Sequence, residues 1–271
     1  MMFIPLGYGD LALAALLLLA NAALSIVLRL SVERQLLVAG LRMVVQLAFI
    51  GFVLEVLFDA VSLLWTSLLA LVMAAFAGHE ILRRQERRFA GPWGYSIGAA
   101  SMLLAGTAVT ILALTTQLQP DPWYHPRYAI PLLGMILGNA MTGVSLGLDQ
   151  LSTTAARERL AIEARLSLGA TRVEALANVL RRSLRSGLIP IINAMAAAGL
   201  VWLPGMMTGQ ILAGVDPLEA VKYQILILFL IAGATGLGVF AAVYLGAYRL
   251  TDDRHRLRLD RLVVSAPPAK G

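Results

Sequence analysis

Apolar residues in this chain come in runs of about twenty, separated by short segments dense in arginine. A helix that crosses a bilayer needs about 20 mostly apolar residues. Seven stretches meet that length, near 9–28, 36–58, 61–80, 95–116, 129–149, 187–213 and 219–247. The second is interrupted by Arg42, Gln46 and Glu55, and the sixth by Pro190 and a Pro204-Gly205 break. The pattern predicts an all-α, polytopic membrane helix bundle of about seven transmembrane helices, read as a single transmembrane domain over 1–271.

The positions of the charges orient it. Arg29 and Arg34 follow the first run, and Arg83, Arg84, Arg87 and Arg88 follow the third. Residues 150–186 carry seven arginines, and the tail 249–271 carries Arg249, Arg254, Arg256, Arg258, Arg261 and Lys270. These alternate connections hold 19 of the 22 basic residues. Cytoplasmic connections are the ones enriched in Lys and Arg. The expected topology therefore puts the N-terminus outside and the C-terminus in the cytosol. Adding or dropping one span would send an arginine cluster outside. The first run, Leu11–Leu28, has its positive flank after it, the reverse of a cleaved signal peptide. It is expected to be a retained span.

Composition agrees. The chain is 59% hydrophobic and 14% charged, with a mean hydropathy of +0.77, whereas soluble domains carry about 25% charged residues. The net charge of +6 is explained by topology, so no nucleic-acid partner is expected. There are no cysteines, which excludes disulfides and thiolate chemistry.

The segment 150–186 is the longest connection on the arginine-rich side. Leu151 to Leu168 reads as helix, ended by Gly169. Thr171-Arg172-Val173-Glu174 is a capping box that starts another helix. In that helix Val173, Leu176, Ala177, Leu180 and Leu184 form a stripe at helical spacing. The product is a helix–turn–helix elbow joined to the sixth span at Gly187.

Within it, Glu163-Ala164-Arg165 followed by Gly169-Ala170-Thr171 resembles the EAA loop of ABC transporter permeases. In that family the loop docks on the ATPase subunit. Here Arg165 replaces the second alanine of the pattern, and the Leu-Pro expected further along is absent, with Arg181-Arg182 near its place. A wider likeness comes from Leu203-Pro204-Gly205-Met206-Met207-Thr208-Gly209-Gln210 through Pro217, which resembles the signature of the FetB-type permease family. That family includes a bacterial iron-export permease and a plant half-transporter linked to aluminium tolerance. The resemblance implies a permease subunit in the cell inner membrane, present as two copies and served by a separate ABC ATPase. Glu163, Ala164, Arg165, Gly169, Ala170 and Thr171 are then its coupling residues, and a metal ion such as iron is its cargo. The only lysines are Lys222 and Lys270, and neither sits in a phosphate-cradling G-x-x-x-x-G-K-[ST] loop. ATP and magnesium are therefore expected on the partner, with no cofactor on this chain and no enzymatic activity.

Ionisable groups inside spans are costly and stand out as functional candidates. Arg42, Gln46, Glu55, Asn139, Pro204, Met206, Met207 and Gln210 are the candidate substrate path, with Glu55 and Asp59 as candidate metal ligands at the outer mouth. His79 and Glu80 are adjacent, and neighbouring helical residues do not share a face. Gly134, Gly138, Gly143 and Gly147 mark the fifth span as a central helix with small surfaces on opposite faces, and Asn139 is expected to bond across to a neighbour. Gly233, Gly236 and Gly238 mark the seventh as a second close-packing helix. Three alternatives stay open: an organic cargo such as a nucleotide sugar or lipid, an ATPase-independent channel or secondary transporter, and a membrane-embedded enzyme.

Overall fold

A computed structural model describes residues 7–252 and 254–264. The helices are α1 (Tyr8–Val27), α2 (Glu33–Asp59), α3 (Leu63–Arg83), α4 (Pro92–Ala113), α5 (Pro126–Arg157), α6 (Arg159–Ser167), α7 (Arg172–Ala197), α8 (Gly205–Leu212) and α9 (Pro217–Leu250). A π-helical turn, Leu114–Leu118, prolongs α4. Two short strands, β1 (Arg87–Phe89) and β2 (Leu262–Val264), pair antiparallel.

The chain divides into two compact units. Of the described residues, one contains the helices up to Val61, together with Leu212–Gly214; the other contains Ser62–Ile211 and the chain from Val215 to Val264. In the first unit α1 and α2 form a hairpin. Its turn is tied by Ser25, whose hydroxyl donates to Glu33 at 2.8 Å and accepts from the Val32 N–H at 3.2 Å. Gly40 admits the Leu18 side chain, which lies 2.6 Å from where a Cβ would stand.

The second unit is a bundle of α3, α4, α5, α7 and α9. Its close approaches give the directions. Gly143 and Gly147 of α5 face Gly187 and Ser183 of α7, so these helices run antiparallel. The same two glycines face Thr235 with Val239, and Val243, so α5 and α9 run parallel. Gly106 of α4 faces Leu133 and Leu137, and Gly78 of α3 faces Ala99, which makes α4 antiparallel to α3 and α5. Arg83, Arg157, Arg172 and Arg249 consequently share one end of the bundle, while Arg127 and Lys222 lie at the other. Within this unit the arginine clusters of the sequence thus gather at one end of the bundle.

Small residues carry this packing for a physical reason. Lipid tails are as apolar as leucine, so helix association in a bilayer rests on close van der Waals contact. A Cβ on Gly143 would stand 2.6 Å from the Gly187 carbonyl oxygen, and one on Gly238 2.9 Å from Met102 Cε. Gly138, Gly233 and Gly236 meet nothing within 4 Å. The close-packing expectation therefore holds for Gly143, Gly147 and Gly238, and fails for these three.

Among the described residues six helices are long and apolar enough to cross a membrane: α1, α2, α3, α4 with its π turn, α5 and α9. The sixth stretch expected from the sequence, 187–213, is not one helix. Its first part is the end of α7, and its last is α8, separated by Ala198–Pro204. The chain turns at Gly199, whose φ of +86° suits a residue without a Cβ. The Gly199 N–H donates to the Trp202 carbonyl at 2.9 Å. The elbow helix and the buried half of that stretch are one continuous helix through Pro190. Length and hydropathy alone miss α7 because its first half carries Arg172, Glu174, Arg181, Arg182 and Arg185, yet it is built into the bundle beside α5 and α9. The expected stripe on it is displaced. Leu176 and Leu180 are buried with Val179, Ser183 and Gly187, whereas Val173 and Ala177 are exposed. The two neighbouring helices choose the inward face, as a flat membrane surface would not.

Candidate functional site: the elbow and its tail clamp

The expected helix from Leu151 to Leu168 is two helices. α5 stops at Arg157, Glu158 caps it, and α6 follows. The Glu158 carboxylate accepts from Arg182 of α7 at 2.5 Å, which braces the bend against the neighbouring helix. Gly169 adopts φ +91°. The Gly169 and Ala170 N–H groups donate back to the Leu166 and Arg165 carbonyls, both at 3.1 Å. This is the glycine-ended cap that satisfies the last free carbonyls of a helix. At Thr171 the expected capping box is present: the Thr171 N–H donates to Glu174 at 2.8 Å and the Glu174 N–H to the Thr171 hydroxyl at 3.4 Å. The Thr171 hydroxyl also donates to the Glu174 carboxylate at 2.8 Å, and the Thr171 N–H first and this hydroxyl second hold that carboxyl below its ordinary value.

The elbow thus presents a fixed surface. Ile162 points inward and is 2% exposed. Leu160 and Leu168 point away and are 80% and 88% exposed. Arg159, Arg165 and Gly169 are exposed beside them. Glu163 is committed to Arg159 at 2.8 Å, one turn away, and Ala164 is exposed. Two bare leucines thus stand beside the exposed Arg159 and Arg165 at the arginine-rich end of the bundle.

The tail is the feature that sequence reasoning missed. The sequence alone reads it as a basic extension; its end, Ala-Pro-Pro-Ala-Lys-Gly, lies outside the described residues. The part within them returns to the bundle. Arg87, Arg88 and Phe89 pair with Val264, Val263 and Leu262, and the Ala90 N–H donates to the Arg261 carbonyl at 2.8 Å. The same loop is tied to α5, because the Ser152 hydroxyl donates to the Arg87 carbonyl at 2.8 Å and the Glu86 N–H to Asp149 at 2.7 Å. Leu257, Leu259 and Leu262, apolar positions among the tail's arginines, are the available signal; all three pack on the main core.

Asp252 organises the return. It accepts from the Arg256 backbone at 2.9 Å and guanidinium at 2.8 Å, and from the Arg254 N–H at 3.0 Å. These bonds, the Arg256 backbone first, lower its pKa to about 2. A depressed carboxylate stabilises the fold above the ordinary value near 3.8, and that contribution is lost as pH falls through the folded value. Acidification from about pH 4 to 2 is therefore expected to release residues 254–264, read as faster amide exchange there. Asp252→Asn is expected to show that faster exchange already at pH 7.

The other sequence candidates are not brought together into one site. Arg42, Gln46, Glu55 and Asp59 lie on α2. Gln46, Glu55 and Asp59 are exposed, and Glu55 and Asp59 are one turn apart on one face. Asn139 donates to the Met135 carbonyl of its own helix at 2.8 Å, in place of the expected bond across to a neighbour. Pro204 precedes α8, so it opens that helix, and its carbonyl accepts from the Thr208 N–H at 3.0 Å. Met206 packs on the core cluster at the end of the bundle away from the arginines, and Met207 is half-buried. The Gln210 side-chain oxygen is buried and accepts nothing among the described residues. His79 is exposed and Glu80 half-buried. Among the described residues no group of three His, Asp or Glu side chains is placed to hold a metal ion. A cleft of about 260 Å³ between α3, α4 and α5 carries the hydroxyls of Thr66, Ser67, Thr107 and Thr110 and no carboxylate, imidazole or basic group.

Comparison with known proteins follows this geometry. The family described as UPF0014, an uncharacterised protein family, matches residues 8–251. The chain is 39% identical over 257 residues to the UPF0014 membrane protein slr1647 of Synechocystis, covering 93% of this chain and 96% of the relative. It is 39% identical over 237 residues to the UPF0014 membrane protein STAR2 of Oryza sativa, covering 85% and 81%. It is 33% identical over 253 residues to the probable iron export permease protein FetB of Escherichia coli, covering 93% and 95%. No solved structure matches. With its multi-pass helical fold and end-to-end likeness to these membrane proteins, the chain belongs to the UPF0014 family.

Proposed function

We propose that this chain is the membrane-spanning permease subunit of an ABC transporter, paired with a second copy of itself in the cell inner membrane and driven by a separate ATPase, and that its cargo is a metal ion, iron. The observation that carries the coupling half is the elbow. A capped two-helix turn offers exposed Leu160 and Leu168 on a rigid mount continuous with a bundle helix. Movement imposed on α6 passes through the Gly169 turn into α7, and from α7 into α5 and α9 through the glycine crossing. The absence of a G-x-x-x-x-G-K-[ST] loop from this sequence supports ATP being bound by the partner. The iron half is supported by the relative named a probable iron export permease and by the paired carboxylates Glu55 and Asp59, whose oxygens suit a hard cation. Two carboxylates without a third ligand suit passage better than storage. Gln46 and Arg42 would continue the path along α2, with Asn139, Met206, Met207 and Gln210 as the candidates in the larger unit.

The test is co-expression with a candidate ATPase, followed by reconstitution in liposomes. The pair is expected to co-purify and to hydrolyse ATP faster when ferrous ion is supplied. Gly169→Pro is expected to abolish that stimulation, because proline cannot adopt φ +91°. Stimulation that survives the substitution overturns the coupling role; stimulation by a sugar nucleotide in place of iron overturns the cargo.

A further inference from the structure

At the arginine-rich end of the larger unit, a cleft of about 230 Å³ opens between the start of α4, the end of α9 and the returning tail. Trp93, Leu245 and Tyr248 form its apolar wall, and Arg249, Thr251 and Arg261 its polar one, with the Asp252 carboxylate at the edge. The Arg249 guanidinium lies 4.7 Å from the centre of the Trp93 ring. Its Nε is buried and has no acceptor among the described residues.

The neighbouring carboxylates are already matched. Asp252 is neutralised by Arg256 at 2.7 Å, and Arg258 by Asp260 at 2.8 Å. Arg261 donates to the Arg249 carbonyl at 2.8 Å and to the Thr251 carbonyl at 3.3 Å. Among the described residues Arg249 has an aromatic face and Arg261 two carbonyls, and neither has a carboxylate partner. A buried donor without an acceptor is costly, and the Arg249 Nε is one, so the cleft favours an added negative group.

The surface leading into it indicates the source of that charge. Leu237, Phe240, Tyr244, Leu245 and Tyr248 are exposed on α9 at spacings that place them on one face. This apolar track runs from the membrane-spanning part of α9 to the cleft. A free phosphate has no use for the track; an anion carrying an acyl chain fills both. We propose that the cleft binds the phosphate of an anionic phospholipid from the leaflet at the arginine-rich end, with its acyl chain along α9. Basic pockets at that membrane level are suited to lipid head groups, and a guanidinium can donate two parallel bonds to phosphate oxygens.

The test uses delipidated full-length protein in detergent, titrated with phosphatidylglycerol, phosphatidylcholine or inorganic phosphate and read by native mass spectrometry. Wild type is expected to retain phosphatidylglycerol about tenfold more tightly than phosphatidylcholine, a difference of one decade in Kd. Arg249→Gln is expected to erase the preference. Arg181→Gln, at the same end but away from the cleft, is expected to keep it, and Arg249→Lys, which retains the charge, is expected to keep most of it. Equal retention of the two lipids by wild type overturns the site, as does a preference that persists in R249Q. Displacement of the lipid by millimolar inorganic phosphate overturns the lipid assignment. The wild-type and R249K measurements decide the matter if R249Q does not fold.

Discussion

Alanine at Gly143 is expected to destabilise the protein by about 1–3 kcal/mol, the range for overpacking a filled site, whereas alanine at Gly138, five residues earlier on α5, stabilises it by up to ~1 kcal/mol. The sign changes because the surroundings do. A Cβ at Gly143 would lie 2.6 Å from the Gly187 carbonyl oxygen, a backbone atom that cannot swing away. A Cβ at Gly138 meets nothing within 4 Å, so only the helical preference for alanine over glycine acts, worth about 0.5–1 kcal/mol. Gly187→Ala is expected to behave like Gly143→Ala, since its Cβ would stand 2.7 Å from Val239 and 2.8 Å from the Gly143 oxygen. Thermal unfolding in detergent checks this. At roughly 2–4 °C per kcal/mol for a chain of this size, Gly143→Ala and Gly187→Ala lower Tm by several degrees while Gly138→Ala leaves it level or higher. Equal effects at Gly138 and Gly143 would show that the α5–α7 crossing is not as close as described.

The second large effect belongs to the elbow. Leu168→Asp is expected to weaken binding of the partner ATPase about thirtyfold or more, the loss typical of an interface anchor worth at least ~2 kcal/mol. It is expected to leave the isolated permease as stable as before, because the side chain is 88% exposed and caps α6 only through its backbone. Ile162→Asp separates binding from folding. That side chain is 2% exposed within the main core, so a carboxylate there disrupts the elbow itself. Quantitative pull-down with the ATPase, paired with a melting curve, distinguishes the two. A Leu168→Asp protein that binds as wild type does would sink the docking role of this face.

Much of this was legible along the chain because it depends on local rules. The apolar runs mark the helices, Thr171 to Glu174 marks a helix start, and Gly169 marks a helix end; each is a relation between residues at most four apart. The elbow could be located from these signals and its partner class suspected from Glu163, Ala164 and Gly169. The bend at Glu158 was not legible, since its brace is Arg182, far along the chain on α7. Nor was the inward face of α7, because Val179 and Ser183 turn inward only where α5 and α9 meet them. The tail reads as a charged extension because arginine dominates it, and the strand it forms at Leu262–Val264 pairs with Arg87–Phe89, far back along the chain.

By itself the sequence determined an all-helical membrane protein with its basic residues on alternate connections, since burial of the backbone in lipid demands helices of a set length and charge stays outside the bilayer. Only the tertiary structure decided that α7 belongs to the bundle despite its arginines, which glycines are in contact, and that the tail closes over β1 and leaves Arg249 facing a cleft. Those outcomes depend on which surfaces meet, and meeting surfaces are set by close contacts between distant residues that no local pattern records.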